Sequence, residues 1–582
     1  MRVSRPLFPW ALAALCLAWT AAQLSLAWTD APIVDEPIHV FDGALAWDRG
    51  NPNANPEHPP LVKMLAAASS SPWRTRAAPL RAGEDPRAPA PAVLLDPHET
   101  AFRRIFATRL PAIAIALAAI IACGAWGRRI GGDAGGLGAA AFLASSTLYG
   151  AHAHFVTTDA AVASLAFTGA FLLIGIEGWR FRIRIAAAGL FLGAALAAKY
   201  SAVFLVPAAI LFSAFDRSTR RRLAGHAGAA AVAILVLAAI VSFASRHATP
   251  AEVRAEIARA RAGNTSNLLD PAGFSPLLSL GDRAAAWSPG LGRYFLGTAL
   301  VASPAFRRDA YPAFFHGRIT TQGALGYFPA CVAFKFGTFA LLAALAGVLV
   351  ARRRLGWCAL LTPLAYFLLS LRAHYLLGAR YLLPIYPFLC VWASGLASRR
   401  GAASAEGEAR VPDAGRGPRI ARVALAAASV ISLVAAAAAF PYWLGDSSLL
   451  GRAIGPLDGW FADSNLDWGQ DLRRLEAKAA KRSAPVFIVG GSEFGGLPGL
   501  FPLLRFPDLS APLPPGIYSA TRWQPFLRAA DTPEGRAAYP PALRPLITKL
   551  RNDYERLSRG PAIADLSTPS MRGSELSASG VP

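Results

Sequence analysis

Eleven apolar stretches of 14–22 residues, separated by arginine-bearing turns, decide what this 582-residue chain can fold into. They run at about 7–28, 105–126, 134–152, 159–177, 185–198, 201–215, 226–245, 329–350, 356–371, 381–397 and 421–440. A helix needs about 20 apolar residues to cross a bilayer core. Charged residues make up 16% of the chain and hydrophobic ones 54%, whereas soluble domains carry roughly 25% charged residues. That balance excludes an ordinary soluble enzyme, and also a disordered chain, which needs low hydrophobicity.

The arginines test the count. Arg128 and Arg129, then Arg180, Arg182 and Arg184, then Arg217 and Arg220–Arg222, then Arg352–Arg354, then Arg399 and Arg400 follow alternate stretches. With a cytoplasmic N-terminus, every cluster falls on the cytoplasmic side of an eleven-span chain. The net charge of +22 (58 − 36) is then explained by arginines facing anionic lipid, and no nucleic-acid partner is expected. The first stretch exceeds a signal-peptide core and lacks a clean small-residue cleavage site, so it reads as a retained anchor.

The chain is therefore expected to be a multi-pass protein of the inner cell membrane. A transmembrane domain spans 1–441 and carries two large extracytoplasmic loops, 29–104 and 246–328. A polar cytoplasmic linker occupies 401–418, and Ala78–Pro91 reads as an Ala/Pro/Arg spacer. Past 441 an amphipathic helix (Asp471–Lys481) and strands at Val486–Val489 and Gly516–Ala520 predict a small extracytoplasmic α/β domain over 442–565, with a Ser-rich tail at 566–582. The five cysteines lie in or beside apolar stretches and form no CxxC pair, which argues against a disulfide framework and a structural zinc site.

Chemistry concentrates at span ends. Asp35-Glu36-Pro37 follows the first span closely; a carboxylate there can act as general base if a hydroxyl reaches it, or the pair can simply be solvated. His58-Pro59-Pro60-Leu61-Val62-Lys63 reads as the start of an interfacial helix with Lys63 at headgroup height, binding phosphate or snorkelling. Only six of the 58 basic residues are lysines, and the three in the membrane part, Lys63, Lys199 and Lys335, sit opposite the arginine clusters. Arg380 joins them. Cations on the outer face run against the usual bias and point to an anionic ligand. Asp159 heads the fourth span, as a helix cap or a functional acid. The histidines His152 and His154 are two apart and do not share a helix face, so they do not suggest a metal pair.

Taken in order, Asp35-Glu36-Pro37, His58-Pro59-Pro60-Leu61-Val62-Lys63, Thr157-Thr158-Asp159, Lys199-Tyr200-Ser201, Tyr327-Phe328-Pro329 with Lys335, Arg380-Tyr381-Leu382-Leu383-Pro384 and Asn465-Leu466-Asp467-Trp468-Gly469-Gln470-Asp471-Leu472 resemble the GT-C class of integral-membrane glycosyltransferases. The resemblance is to family 39 and its bacterial homologues, the protein mannosyltransferases and lipid A aminoarabinose transferases, and covers about residues 1–520. It implies a GT-C-like fold and an extracytoplasmic site. The donor would be a polyprenyl-phosphate-linked sugar, a hexose such as mannose, and the acceptor an extracytoplasmic glycan, lipid or protein. By transfer, Asp35 is the leading general base with Glu36 beside it. Lys63, Lys199, Lys335 and Arg380 are candidates for the donor phosphate, and His58, Asp159 and Tyr381 for substrate contact. One departure stands out: eukaryotic protein mannosyltransferases carry a characteristic lumenal domain between spans, whereas the loop 246–328 is short here and an unrelated-looking domain sits at the C-terminus.

Lysine and arginine can neutralise a lipid-phosphate leaving group electrostatically. No cofactor is then expected, and no residue spacing suggests a metal site, although a divalent metal stays compatible with the reading. The alternative class is a transporter or flippase for a lipid-linked anion. Such proteins usually show repeats and broken midplane helices; no repeat is visible here, and the ionisable residues cluster at span ends rather than the midplane.

Overall fold

The computed structural model describes residues 7–80, 84, 89–174, 181–215, 220–262, 274–306, 313–320, 323–398, 416–461, 465–466, 468–481, 486–489, 504–505 and 517–520. Helix α1 (Leu7–Thr29) is the first apolar stretch. The first loop folds into three short helices, α2 (Asp35–Arg49), α3 (Leu61–Ser69) and α4 (Ala90–Leu95). Asp35 and Glu36 occupy the first turn of α2, where the helix dipole favours negative charge. Helices α2 and α3 cross so closely that a Cβ on Gly43 would lie 2.0 Å from the Lys63 carbonyl oxygen, so only glycine fits there.

The bundle continues through α5 (His98–Ala144), α6 (Thr147–Ala153), α7 (Asp159–Ile174), α8 (Phe181–Ala198), α9 (Ala202–Phe215) and α10 (Arg220–Ala244). Three helices, α11 (Pro250–Arg261), α12 (Ser275–Ala285) and α13 (Pro289–Phe306), pack on one another in the second large loop. A hairpin of β1 (Ala313–Phe315) and β2 (Arg318–Thr320) leads into α14 (Tyr327–Lys335), α15 (Thr338–Ser370), a 3-10 turn at Ala379–Ile385, α16 (Tyr386–Ala393) and α17 (Arg416–Ala439).

Five helices among the described residues are long and apolar enough to span a bilayer, or six when α14 and α15, bent by 108°, count as one broken span. The chain is a helical multi-span membrane protein. The difference from eleven has identifiable causes. Helix α5 holds two of the expected spans, joined at Gly132, whose φ of 66° turns the chain right after Arg128 and Arg129. Its arms fold back on each other, with the Cys123 thiol donating to the Ala139 carbonyl at 3.4 Å. Helix α15 likewise breaks at Ala351 and Gly356, around Arg352–Arg354. Helices α7 and α9 are apolar but only 16 and 14 residues long. The stretch 381–397 splits into α16 flanked by 3-10 turns. Large apolar side chains such as Leu7, Ile183, Leu235 and Leu349 point outward, as lipid-facing surfaces require. Helix α7, by contrast, is buried along most of its length, so residues at its head lie deep in the protein.

All five cysteines are unpaired. Beyond α18 (Leu449–Ile454), helix α19 (Leu472–Ala479) and strands β3 (Val486–Val489) and β5 (Ile517–Ala520) fall in the stretches expected for a helix and two strands, and a third strand, β4 (Leu504–Arg505), was not expected. They form a parallel sheet of order β4-β3-β5. Most of 482–565, the tail 566–582 and linker residues 401–415 lie outside the described residues.

Candidate active site

The two acids of the Asp35-Glu36 pair have different environments. Glu36 is fully buried. Both edges of its carboxylate accept from Arg109, from Nε at 2.8 Å and Nη2 at 2.6 Å. The backbone N–H groups of Ile33 and Val156 add bonds of 3.0 Å each. Arg109 spends its remaining N–H groups on the carbonyls of Ala27, Asp30 and Ala31. This network ties the end of α1, the start of α2, α5 and the segment before α7 into one joint, and it leaves Glu36 no lone pair for a substrate. Asp35, one residue earlier, keeps a side chain 31% exposed.

Three segments converge beside Asp35. Asp159 heads α7, Lys199 stands in the break between α8 and α9, and Arg380 lies in the 3-10 turn after α15. The Lys199 ammonium donates to Asp159 Oδ1. Arg380 Nη1 lies 3.6 Å from Asp35 Oδ2 and 3.8 Å from Asp159 Oδ2. The ring of Tyr381 sits 4.5 Å from Lys199 Nζ and 5.6 Å from the guanidinium carbon of Arg380. The result is a cluster of two carboxylates and two cations at the protein's interior edge. Asp159 is only 3% exposed and pairs with both cations, so its charge is committed to holding them.

His58 packs edge-on against His39 with ring centroids 5.1 Å apart, and its Nδ1 lies 3.5 Å from the Thr158 hydroxyl. Its pKa falls well below the ordinary value, first through removal from water, then through the charges of His39, Lys199, Lys63 and Arg380. The imidazole is therefore neutral at pH 7. It stands next to the cluster, as do Tyr381 and Thr158.

Two expected phosphate ligands are placed elsewhere. Lys63 donates to Asp42 Oδ2 at 2.6 Å, the Asn55 carbonyl at 2.8 Å and the His58 carbonyl at 2.7 Å. Lys335 donates to the carbonyls of Leu444 at 2.8 Å, Asp446 at 2.9 Å and Asn465 at 2.6 Å. An ammonium has three donors, and each of these buried lysines has all three engaged. Lys63 closes the first loop on itself; Lys335 ties α14 to the chain that follows α17. Each thus has its three donors on the protein's own oxygens, apart from the cluster around Asp35.

Residues 100–244 match the model of the dolichyl-phosphate-mannose-protein mannosyltransferase family. The matched segment runs from α5 to the end of α10 and contains Arg109, Asp159 and Lys199. Over that segment the match agrees with the resemblance drawn from the motifs. No curated protein matches the chain. Among solved structures, ArnT from Cupriavidus metallidurans bound to undecaprenyl phosphate is similar at 15% identity, over 90% of this chain and 88% of that one, with a TM-score of 0.44. The oligosaccharyltransferase of Archaeoglobus fulgidus in its apo form is similar at 12% identity, over 93% and 68%, with a TM-score of 0.43. The S. cerevisiae protein O-mannosyltransferase Pmt1-Pmt2 complex bound to the sugar donor is similar at 18% identity over 42% of this chain, with a TM-score of 0.32. This chain spans 34% of the length of that yeast chain. Likenesses this loose do not carry a site from one chain to another residue by residue.

Three residues around the cluster went unassigned by the sequence. Arg109 sits inside an expected span, where an ionisable side chain is itself a signal. His152, at the end of α6, is buried with neither ring nitrogen partnered, its ring 5.7 Å from that of Trp468. Trp468 lies over Arg380, 4.3 Å from the guanidinium carbon to the ring centroid.

Proposed function

We propose that this chain is a membrane glycosyltransferase that moves a sugar from a polyprenyl-phosphate carrier to an acceptor hydroxyl, with Asp35 as general base and inversion at the sugar's C1. The observation that supports it most is the meeting of Asp35, Asp159, Lys199 and Arg380 from four separate segments, with Asp35, unlike Glu36 and Asp159, kept substantially open to solvent. A general base must reach the proton it takes. Glu36 and Asp159 are enclosed by their partners, and Asp35 is not.

The chemistry follows from these placements. The acceptor's O–H gives its proton to the Asp35 carboxylate as its oxygen bonds to C1. The bond from C1 to the phosphate oxygen breaks, and that oxygen leaves with the electron pair. Lys199 and Arg380 stabilise the charge gathering on the phosphate, the electrostatic contribution that is usually largest in such transfers. Asp159 holds both cations and takes no proton. Tyr381 and His58 border the sugar, His58 as a neutral hydrogen-bonding partner. On this reading the site faces the outer side of the inner membrane, with the N-terminus cytoplasmic. The region 1–441 is then the catalytic domain and 442–565 a domain outside the membrane.

The test is a reaction of the purified full chain in detergent with a polyprenyl-phosphate hexose and a crude envelope acceptor. Release of polyprenyl phosphate together with a glycosylated acceptor supports the transferase. In proteoliposomes, donor lipid that changes leaflet with its sugar still attached, and without any release, indicates the flippase instead.

A further inference from the structure

The 465–472 motif follows the last span, yet its described residues reach back to the cluster. Two anchors hold it. On one side the Asn465 side chain accepts from the Ala379 backbone N–H at 2.9 Å and donates to the Tyr327 hydroxyl at 3.2 Å, while its carbonyl takes a donor from Lys335. On the other side the Gln470 carbonyl accepts from the Ala31 N–H at 2.8 Å, and its side-chain oxygen accepts from the Trp468 N–H at 2.7 Å. Asp471 and Asp30 both pair with Arg474, closing the strap over the end of α1. Ala379 immediately precedes Arg380, and Ala31 precedes Asp35 by a single turn of chain. The strap is thus pinned to both flanks of the cluster. Gly469, with φ of 90°, makes the turn between Trp468 and the second anchor.

Trp468 lies between the anchors and is 2% exposed. Its ring covers the Arg380 guanidinium and also meets the buried His152 ring in an edge contact. A cation over an indole face gains attraction that grows as water is excluded, and a planar guanidinium stacked on a ring has its in-plane donors aimed outward.

We propose that Trp468 is a positioning residue for the donor phosphate: it holds the plane of Arg380 so that the guanidinium edge faces the anion. The inference rests on the transferase reading and extends it. It makes the motif after the last span part of the site, with Lys335 and Asn465 as its moorings.

The experiment measures binding of polyprenyl phosphate and of the uncharged polyprenyl alcohol to the full chain in detergent, for wild type, Trp468→Phe and Trp468→Leu. Wild type holds the phosphate more tightly than the alcohol. Trp468→Leu, apolar but without a ring, weakens phosphate binding about tenfold and leaves alcohol binding unchanged. Trp468→Phe keeps a face and stays within about threefold of wild type. Trp468→Met carries the same expectation as Trp468→Leu and serves if that variant does not fold. Equal phosphate affinity in all folded variants overturns the proposal, as does parallel loss of alcohol binding, which marks a packing role. A wild-type chain with no preference for the phosphate overturns the transferase reading itself and this inference with it.

Discussion

Arg109 grips Glu36 with both edges of its guanidinium, at 2.8 and 2.6 Å, and neither side chain is exposed to solvent. The pair explains why two adjacent acids have different fates. Glu36 is locked into the joint between α1, α2 and α5, and the lock sets Asp35 on the open side of the same helix turn. A buried ion pair broken on one side leaves an uncompensated charge, at about 3–5 kcal/mol. Arg109→Met is therefore expected to lower stability by about that amount, seen as a large fall in the unfolding midpoint in detergent. An unchanged midpoint would show that the joint does not hold the fold.

The lysines separate by role. Lys63→Met removes three satisfied hydrogen bonds and leaves buried Asp42 without its counter-charge, on the Ala54 and Asn55 N–H groups alone, so the loss is in stability, about 3–5 kcal/mol, with donor affinity of the folded fraction retained. Lys199→Met also costs stability by leaving buried Asp159 short of a cation, but unlike Lys63→Met it is expected to raise the KM for the donor lipid roughly tenfold or more, because a charge-assisted bond to phosphate is lost. Thermal unfolding alongside steady-state kinetics reads both. Reversed effects, with Lys63 governing KM and Lys199 only the midpoint, would place the phosphate elsewhere.

Asp159 tests whether the second acid takes part in chemistry or only holds cations. Asp159→Asn leaves Lys199 and Arg380 short of a counter-charge and is expected to cost about 3 kcal/mol or more. In the double variant Asp159→Asn with Lys199→Met, stability recovers in part while donor affinity stays low. If the double variant binds donor like wild type, the pair is a structural ion pair and nothing more.

His58 gives a pH signature. Its folded-state pKa lies below the unfolded value of about 6.5, so in the window beneath 6.5 the unfolded chain binds the proton first. Its contribution to stability is level above about pH 6.5 and declines as pH falls below it. His39, lowered mainly by burial, acts in the same direction. Unfolding midpoints between pH 5 and pH 8 should show this slope, and His58→Gln should reduce it, leaving the part due to His39. A slope of the same size in that variant assigns it to other groups.

The membrane architecture was legible because apolar runs and arginine clusters are local properties. They located α1, both arms of α5 and α17 directly, and the arginines fall where α5 and α15 turn. The motifs also named every member of the central cluster. What the chain's order hides is which acceptors a side chain meets. Lys63 and Lys335 looked like Lys199 in sequence, but their partners are mostly backbone carbonyls, which no motif records. The pairing of Glu36 with Arg109 joins residues far apart in sequence, so the dipeptide alone did not separate a structural acid from an open one. Trp468 stood inside a motif quoted for its resemblance, and only its place over Arg380 suggests a role.

The most direct measurement compares wild type with Asp35→Asn, following polyprenyl phosphate released from a polyprenyl-phosphate hexose and, separately, binding of polyprenyl phosphate. The account predicts that release falls by about 10²–10⁴-fold, the usual contribution of a general base, while lipid affinity and the unfolding midpoint stay near wild type. A folded Asp35→Asn chain that binds the lipid and transfers sugar at the wild-type rate would contradict it.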